Sequence, residues 1–166
     1  MPKGYISIGS NIDKEANIPC SLNNLRRLFG DLSISSIYES EAVGFVGDKF
    51  HNLVVGFESE LRAKEIANLL RQIELQHGRS RQAQKFSSRT LDLDLILYGQ
   101  QIINADGLQI PRDEIERYAF VLEPLAEIAP EERHPVSGVC YRQLWEKIDK
   151  STFKQTKIVP AWLSDK

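Results

Sequence analysis

The sequence predicts an α+β fold, an antiparallel sheet carrying helices in the order β-α-β-β-α-β, with short helical additions toward the C-terminus. Three observations predict it. Four short segments are β-rich, two segments repeat apolar residues at helical spacing, and the six occur in that order without internal repeats or low-complexity tracts. That order is the split β-α-β, or ferredoxin-like, sandwich.

Taken in turn, Tyr5 to Ser10 alternates as a first strand, and Ser21 to Phe29 spaces Leu22, Leu25, Leu28 and Phe29 as a helix stopped by Gly30. Leu32 to Tyr38 reads as a second strand with Leu32, Ile34, Ser36 and Tyr38 on one face. Glu39 to Lys49 is a loop longer than a hairpin needs, and Phe50 to Phe57 is a third strand. Ala63 to Gln76 places Ile66, Leu69, Leu70 and Ile73 on one side of a second helix. Gly78 to Ser88 is a polar, basic loop that leads into a fourth strand, Leu91 to Tyr98. Gly99-Gln100 turns the chain toward a short strand at Gln101 to Asn104. Glu114 to Tyr118, Pro124 to Ile128 and Tyr141 to Ile148 read as short helical pieces between Pro and Gly breaks.

A chain of 166 residues suits a single domain spanning 1–166. Its 42% apolar and 27% charged residues are those of an ordinary globular protein, and a net charge of −2 argues against a broad nucleic-acid or acidic-membrane footprint. Neither a signal peptide nor an apolar run near the ~20 residues needed to span a bilayer is evident, so the sequence reads as cytoplasmic. Cys20 and Cys140 lie far apart in no metal-ligand spacing, which reads as two reduced thiols.

The sharpest local signal is Arg89-Thr90-Leu91-Asp92-Leu93-Asp94-Leu95-Ile96-Leu97-Tyr98-Gly99. In a strand, Leu91, Leu93, Leu95 and Leu97 would share one face and Asp92 and Asp94 the other. Adjacent carboxylates repel unless water or a cation neutralises them, and Mg²⁺ typically takes one or two carboxylates plus phosphate oxygens. A wet strand face would accommodate the same pair, so spacing alone leaves both readings open. The loop before it gathers Arg79, Arg81, Lys85 and Arg89 beside these carboxylates, a set suited to clamping phosphates. Acidic pair and basic loop together favour a phosphate site. Phe50 and Asn52 share a strand face, and Phe120 is a further aromatic; rings that sandwich a flat heterocycle and an amide that reads its edge use such residues, although isolated phenylalanines are usually core. His51, on the opposite face, His77 and His134 pair with no nucleophile, and no Walker-type glycine loop is present.

The segment Arg89 to Gly99 resembles the signature of the 6-hydroxymethyl-7,8-dihydropterin pyrophosphokinases of folate biosynthesis. Tyr5 to Asn11, Phe50 to Asn52, Ile73 to Arg81, and Ala119 to Leu125 followed by Glu127 to Pro130 resemble further blocks of that family in the same order. The resemblance spans roughly residues 4 to 148 and implies the ferredoxin-like fold. It implies an enzyme that transfers pyrophosphate from ATP to the pterin hydroxymethyl group and releases AMP, with two Mg²⁺ ions on Asp92 and Asp94. By the same resemblance Arg79, Arg89 and Arg81 hold phosphates, and Glu74 and Arg112 lie at the nucleotide site. Phe50 and Phe120 sandwich the pterin, Asn52 bonds its edge, main-chain groups around Ser40, Val43 and Gly44 complete the pocket, and Phe86 covers it. Partners are then two small molecules, with no nucleic acid or membrane, and nothing demands more than a monomer.

The chain departs from the family pattern in four places. The 39–49 loop lacks proline; Arg112 stands where histidine is usual, Tyr118 where arginine is usual, and Ser87-Ser88 where Gly-Pro is common. A relative acting on another pterin alcohol, or a pterin- or nucleotide-binding protein without turnover, is the alternative those departures raise.

Overall fold

In a computed structural model, residues 1–41, 47–77, 91–150, 154–160 and 162 are described. The expected site residues Val43, Gly44, Arg79, Arg81, Phe86 and Arg89 lie outside them. The elements are β1 (Lys3–Ser10), α1 (Lys14–Phe29), β2 (Ser33–Ile34), β3 (Ile37–Ser40), β4 (Phe50–Glu58), α2 (Ala63–Gln76), β5 (Asp92–Tyr98), β6 (Ile103–Ala105), β7 (Leu108–Ile110), α3 (Glu114–Arg117), α4 (Ala119–Ile128), α5 (Tyr141–Lys147) and β8 (Gln155–Ile158).

The main sheet runs β5-β1-β4-β3-β8, with β2 also paired to β4. Every described pairing is antiparallel. β4 lies between β1 and β3, and β1 between β4 and β5, so each β-α-β unit is split by an inserted strand. This is the ferredoxin-like order that the sequence predicts.

Period-two alternation divides the sheet into two faces. One face contributes Ile6, Ile8, Leu53, Val55, Phe57, Leu93 and Leu95, which pack with Ile18, Leu22 and Leu25 of α1 and Ile66, Leu70 and Ile73 of α2. The other contributes Tyr5 and Val54, which pack with Ile115 of α3, Val121, Leu122 and Leu125 of α4, and Tyr141 of α5. The C-terminal helices therefore form a second layer across the sheet from α1 and α2.

Several local expectations change. Leu97 does not join Leu91, Leu93 and Leu95: the register passes from Ile6↔Leu95 to Tyr5↔Leu97, leaving Ile96 as the extra residue of a bulge. Ile96 and Leu97 accordingly both enter the second core. The expected strand Leu32 to Tyr38 is broken at Ser35-Ser36. Ser35 donates its N–H to the Val54 carbonyl and accepts the Val54 N–H on its hydroxyl oxygen, and Ser36 donates its N–H and hydroxyl to the Glu127 carboxylate. The break turns Ile34 and Ile37 into the same core and leaves Tyr38 on the opposite face, where its hydroxyl donates to Glu127.

α1 begins at Lys14 and accommodates Pro19 internally. β6 and β7 form a hairpin around Asp106-Gly107, both with positive φ, in place of the single strand expected at 101–104. α4 starts at Ala119, five residues earlier than the expected Pro124. β8 was not expected at all; it forms an edge strand on β3.

Candidate active site on one sheet face

Asp92 and Asp94 are half-buried on β5 and fall on the face toward α4, since Leu93 between them is in the opposite core. The register then names their neighbours. Asp92 lies opposite Gly9, and Gly9 opposite Asn52, so one row across three strands reads Asp92, Gly9, Asn52. The next row reads Asp94, Ser7, Val54. Phe50 and Ser40 are opposite one another one step along from Asn52. With strands spaced by ~4.8 Å, Asp92 and Asn52 are about 10 Å apart in backbone terms, with a residue that has no side chain between them. That gap is closely fitted. A Cβ on Gly9 would lie 3.0 Å from Asn52 Oδ1 and 3.8 Å from Phe50 Cδ1.

Asn52 is buried, and its Nδ2 donates to Ser40 Oγ at 2.8 Å, which fixes the amide. Phe120 enters from the opposing layer in the first turn of α4, the helix that packs on β4 and β3. Its ring stacks on Tyr118, with centroids 4.9 Å apart and planes at 21°. The Arg117 guanidinium lies 5.4 Å from the centre of the Tyr118 ring. Asp92, Asp94, Phe50, Asn52 and Ser40 thus share one sheet face, and Phe120 belongs to the helix over it.

Electrostatics sets Asp94 apart from an ordinary surface carboxylate. Burial, reinforced by the neighbouring charge of Asp92, pushes the Asp94 carboxyl up to about 8, against the opposing pull of Arg112. Arg112 follows a cis Ile110–Pro111 bond, donates its backbone N–H to Ile96 O, and clamps Glu114 with Nε and Nη2 at 3.1 and 3.0 Å. Desolvation disfavours its charge, but Asp94, Glu114 and Asp92 outweigh that and hold the guanidinium more firmly protonated than usual. Arg112 is therefore a fixed cation beside the acidic pair.

Glu74 is buried on α2, and its Oε2 accepts the Leu93 N–H at 2.8 Å. Among the described strands β5 ends the sheet, and this bond covers an outward-facing amide of that edge between the two aspartates. The structure thus places Glu74 behind β5, bracing the strand that carries Asp92 and Asp94.

Two residues on this face were not singled out by the sequence reading, Ser7 and Gly9. The alternation of β1 could have found them, because Tyr5, Ser7 and Gly9 oppose the face of Ile6 and Ile8. Among the described residues, no group of three or more His, Cys, Asp or Glu side chains forms a metal cluster. A pair of carboxylates that repel each other nonetheless fits a hard divalent cation whose remaining ligands are phosphate oxygens and water.

The sequence model described as 7,8-dihydro-6-hydroxymethylpterin-pyrophosphokinase (HPPK) matches residues 5–130. The 2-amino-4-hydroxy-6-hydroxymethyldihydropteridine pyrophosphokinase of Pseudomonas aeruginosa is 33% identical over 135 residues, covering 79% of this chain and 83% of that protein. The protein of the same description from Synechocystis is 36% identical over 150 residues, covering 85% of this chain and 76% of that one. A solved structure of Plasmodium falciparum HPPK-DHPS superposes with a TM-score of 0.68 at 13% identity, over 89% of this chain and 43% of that one. The chain thus spans less than half of that protein, and this likeness speaks for the fold alone. With a match across both aspartates and the start of α4, the chain belongs to the 7,8-dihydro-6-hydroxymethylpterin-pyrophosphokinase family.

Proposed function

We propose that this chain transfers the β,γ-pyrophosphoryl group of ATP to the hydroxymethyl oxygen of 6-hydroxymethyl-7,8-dihydropterin, a step of folate biosynthesis. The observation that carries the reading is the placing of Asp92, Asp94, Gly9, Asn52 and Phe50 on one sheet face, under α4, whose first turn holds Phe120. Membership of the family supports the same substrates.

In this reading Phe50 and Phe120 hold the flat pterin, and the amide of Asn52, steadied by Ser40, bonds its polar edge. Gly9 leaves the floor open between that amide and Asp92, so the hydroxymethyl arm can extend toward the acidic pair. Asp92 and Asp94 would hold Mg²⁺, in the family's manner two ions, and the metal would supply charge neutralisation on the polyphosphate. Arg112 stands ready beside them to meet a phosphate, and Arg79, Arg81 and Arg89 would add further cations. The hydroxymethyl oxygen bonds to the β-phosphorus as the bond to the α,β-bridging oxygen breaks, and AMP leaves. In-line positioning and charge neutralisation are what such a transfer needs from a protein.

Val43, Gly44 and Phe86 would complete and cover the pterin pocket. We read the chain as a single-domain, monomeric, cytoplasmic enzyme. No helix among the described residues is long and apolar enough to cross a membrane.

The test is ³¹P NMR of ATP, Mg²⁺ and the protein with and without the pterin. AMP and a pterin diphosphate ester should appear together only when all are present. ADP with a pterin monophosphate would overturn the two-phosphate transfer, and pterin-independent AMP would overturn the acceptor.

A further inference from the structure

The C-terminal strand reaches the same face. Ser40 pairs with Gln155 across β3 and β8, and directly opposed residues in an antiparallel pair project to one side. Gln155 therefore continues the row Phe50, Ser40 outward. From there its amide crosses to the helical layer. Nε2 donates to the backbone carbonyl of Ala119 at 3.1 Å and to Oε1 of Glu123 at 2.7 Å. Both partners are acceptors, so the nitrogen must face them.

The two acceptors bracket the first turn of α4, and Phe120 lies in that turn. This turn is short of one helical bond. Pro124 has no N–H to donate back to the Phe120 carbonyl, so the helical bond that would close the turn at that point is missing. Gln155 binds the turn immediately before Phe120 and again three residues after it. At its other end β8 is laddered to β3, whose Ser40 accepts from Asn52.

We propose that Gln155 is a positioning residue of the pterin site, fixing the height of Phe120 above Phe50 and Asn52, so that the C-terminal strand forms part of the substrate pocket's frame. The inference rests on the reading of this face as the pterin site. It goes beyond that reading by giving a role to a strand that lies after residue 130, where the family match ends.

The test uses Gln155→Met, which keeps the bulk and strand but removes the donor, and Gln155→Glu, which sets a carboxylate against two acceptors. Thr156→Ala, exposed on the opposite face of the same strand, is the control. Calorimetry with the pterin and a non-hydrolysable ATP analogue, thermal unfolding, and steady-state KM for each substrate are measured. Gln155→Met should raise the pterin Kd and KM about 5- to 10-fold, while the ATP KM stays within about twofold and the unfolding temperature matches Thr156→Ala. Gln155→Glu should lose more, and adding Glu123→Gln should recover part of that loss by restoring a donor between the two side chains.

Unchanged pterin affinity in both Gln155 variants would overturn the inference, as would equal losses for pterin and ATP that follow lost stability. Should the unaltered protein fail to bind the pterin, the reading of the site falls and the inference with it. Binding by the unaltered protein and both variants alike would remove the inference alone.

Discussion

Replacing Gly9 with alanine adds one methyl group to the floor between Asp92 and Asn52. Its Cβ would lie 3.0 Å from Asn52 Oδ1, which has to give by a few tenths of an ångström. Asn52 cannot give freely, because its Nδ2 is bonded to Ser40 Oγ at 2.8 Å. The amide must either loosen that bond or turn away from the bound pterin. A compromised hydrogen bond at a buried site is worth about 1–3 kcal/mol, or roughly 5- to 150-fold in pterin affinity. Stability should hardly move. Gly9 does not occupy the left-handed region, and Gly→Ala at a tolerated position gains about 0.4–1 kcal/mol through the unfolded chain. Gly4→Ala is the contrast, since its Cβ would run into the Phe57 and Tyr98 rings of the first core, and overpacking of that kind costs about 1–3 kcal/mol. The assay is pterin titration calorimetry with an ATP analogue, alongside thermal unfolding. Gly9→Ala with normal pterin binding, or with a stability loss equal to that of Gly4→Ala, would refute the placing of the pterin over this row.

Asp94→Asn should lower turnover by about 100-fold or more, checked by initial rates of AMP formation. In chelator the same change should remove a pH dependence of stability. The Asp94 carboxyl titrates near 8 when folded and near ~4 when unfolded, so the native state binds the extra proton between those values. The metal-free protein therefore loses stability as pH rises from about 4 to about 8, and Asp94→Asn should flatten that slope in calorimetric scans. Glu74→Ala strips the acceptor from the Leu93 N–H and should cost about 1–3 kcal/mol in urea unfolding, with weakened Mg²⁺ binding besides. Equal Mg²⁺ affinity in that variant would mean that Glu74 braces nothing the metal needs. Phe120→Ala should weaken pterin binding about tenfold while ATP-analogue binding stays within twofold, read by calorimetry with each ligand.

Where a single period governs many residues, the sequence was legible. The alternation from Leu91 to Leu95 put Asp92 and Asp94 on a common face, and the two-apart spacing of Phe50 and Asn52 did the same on β4. What was lost lies where the period breaks. The bulge at Ile96 sends Leu97 to the second core, and alternation cannot register an extra residue. The serines at 35 and 36 interrupt a strand because the Ser35 side chain takes the Val54 N–H and Ser36 turns its own N–H to Glu127, a partner 91 residues away. β8 was missed because Gln155-Thr156-Lys157-Ile158 is a polar edge strand with one strand neighbour and little apolar pattern. Pro124 suggested a helix start, whereas α4 begins five residues before it. Gln155 carried no chemical signal in sequence; its contacts with Ala119 and Glu123 depend on a long-range docking that only the fold supplies.

The most direct test of the central claim is AMP production from ATP, measured with and without Mg²⁺ and with and without 6-hydroxymethyl-7,8-dihydropterin, in the unaltered protein and in Asp94→Asn. The account predicts AMP in equimolar amount to consumed pterin, only when metal and pterin are both present, and nearly abolished in the variant. AMP formation that persists in Asp94→Asn at the unaltered rate, or none in the unaltered protein although both substrates bind, would contradict it.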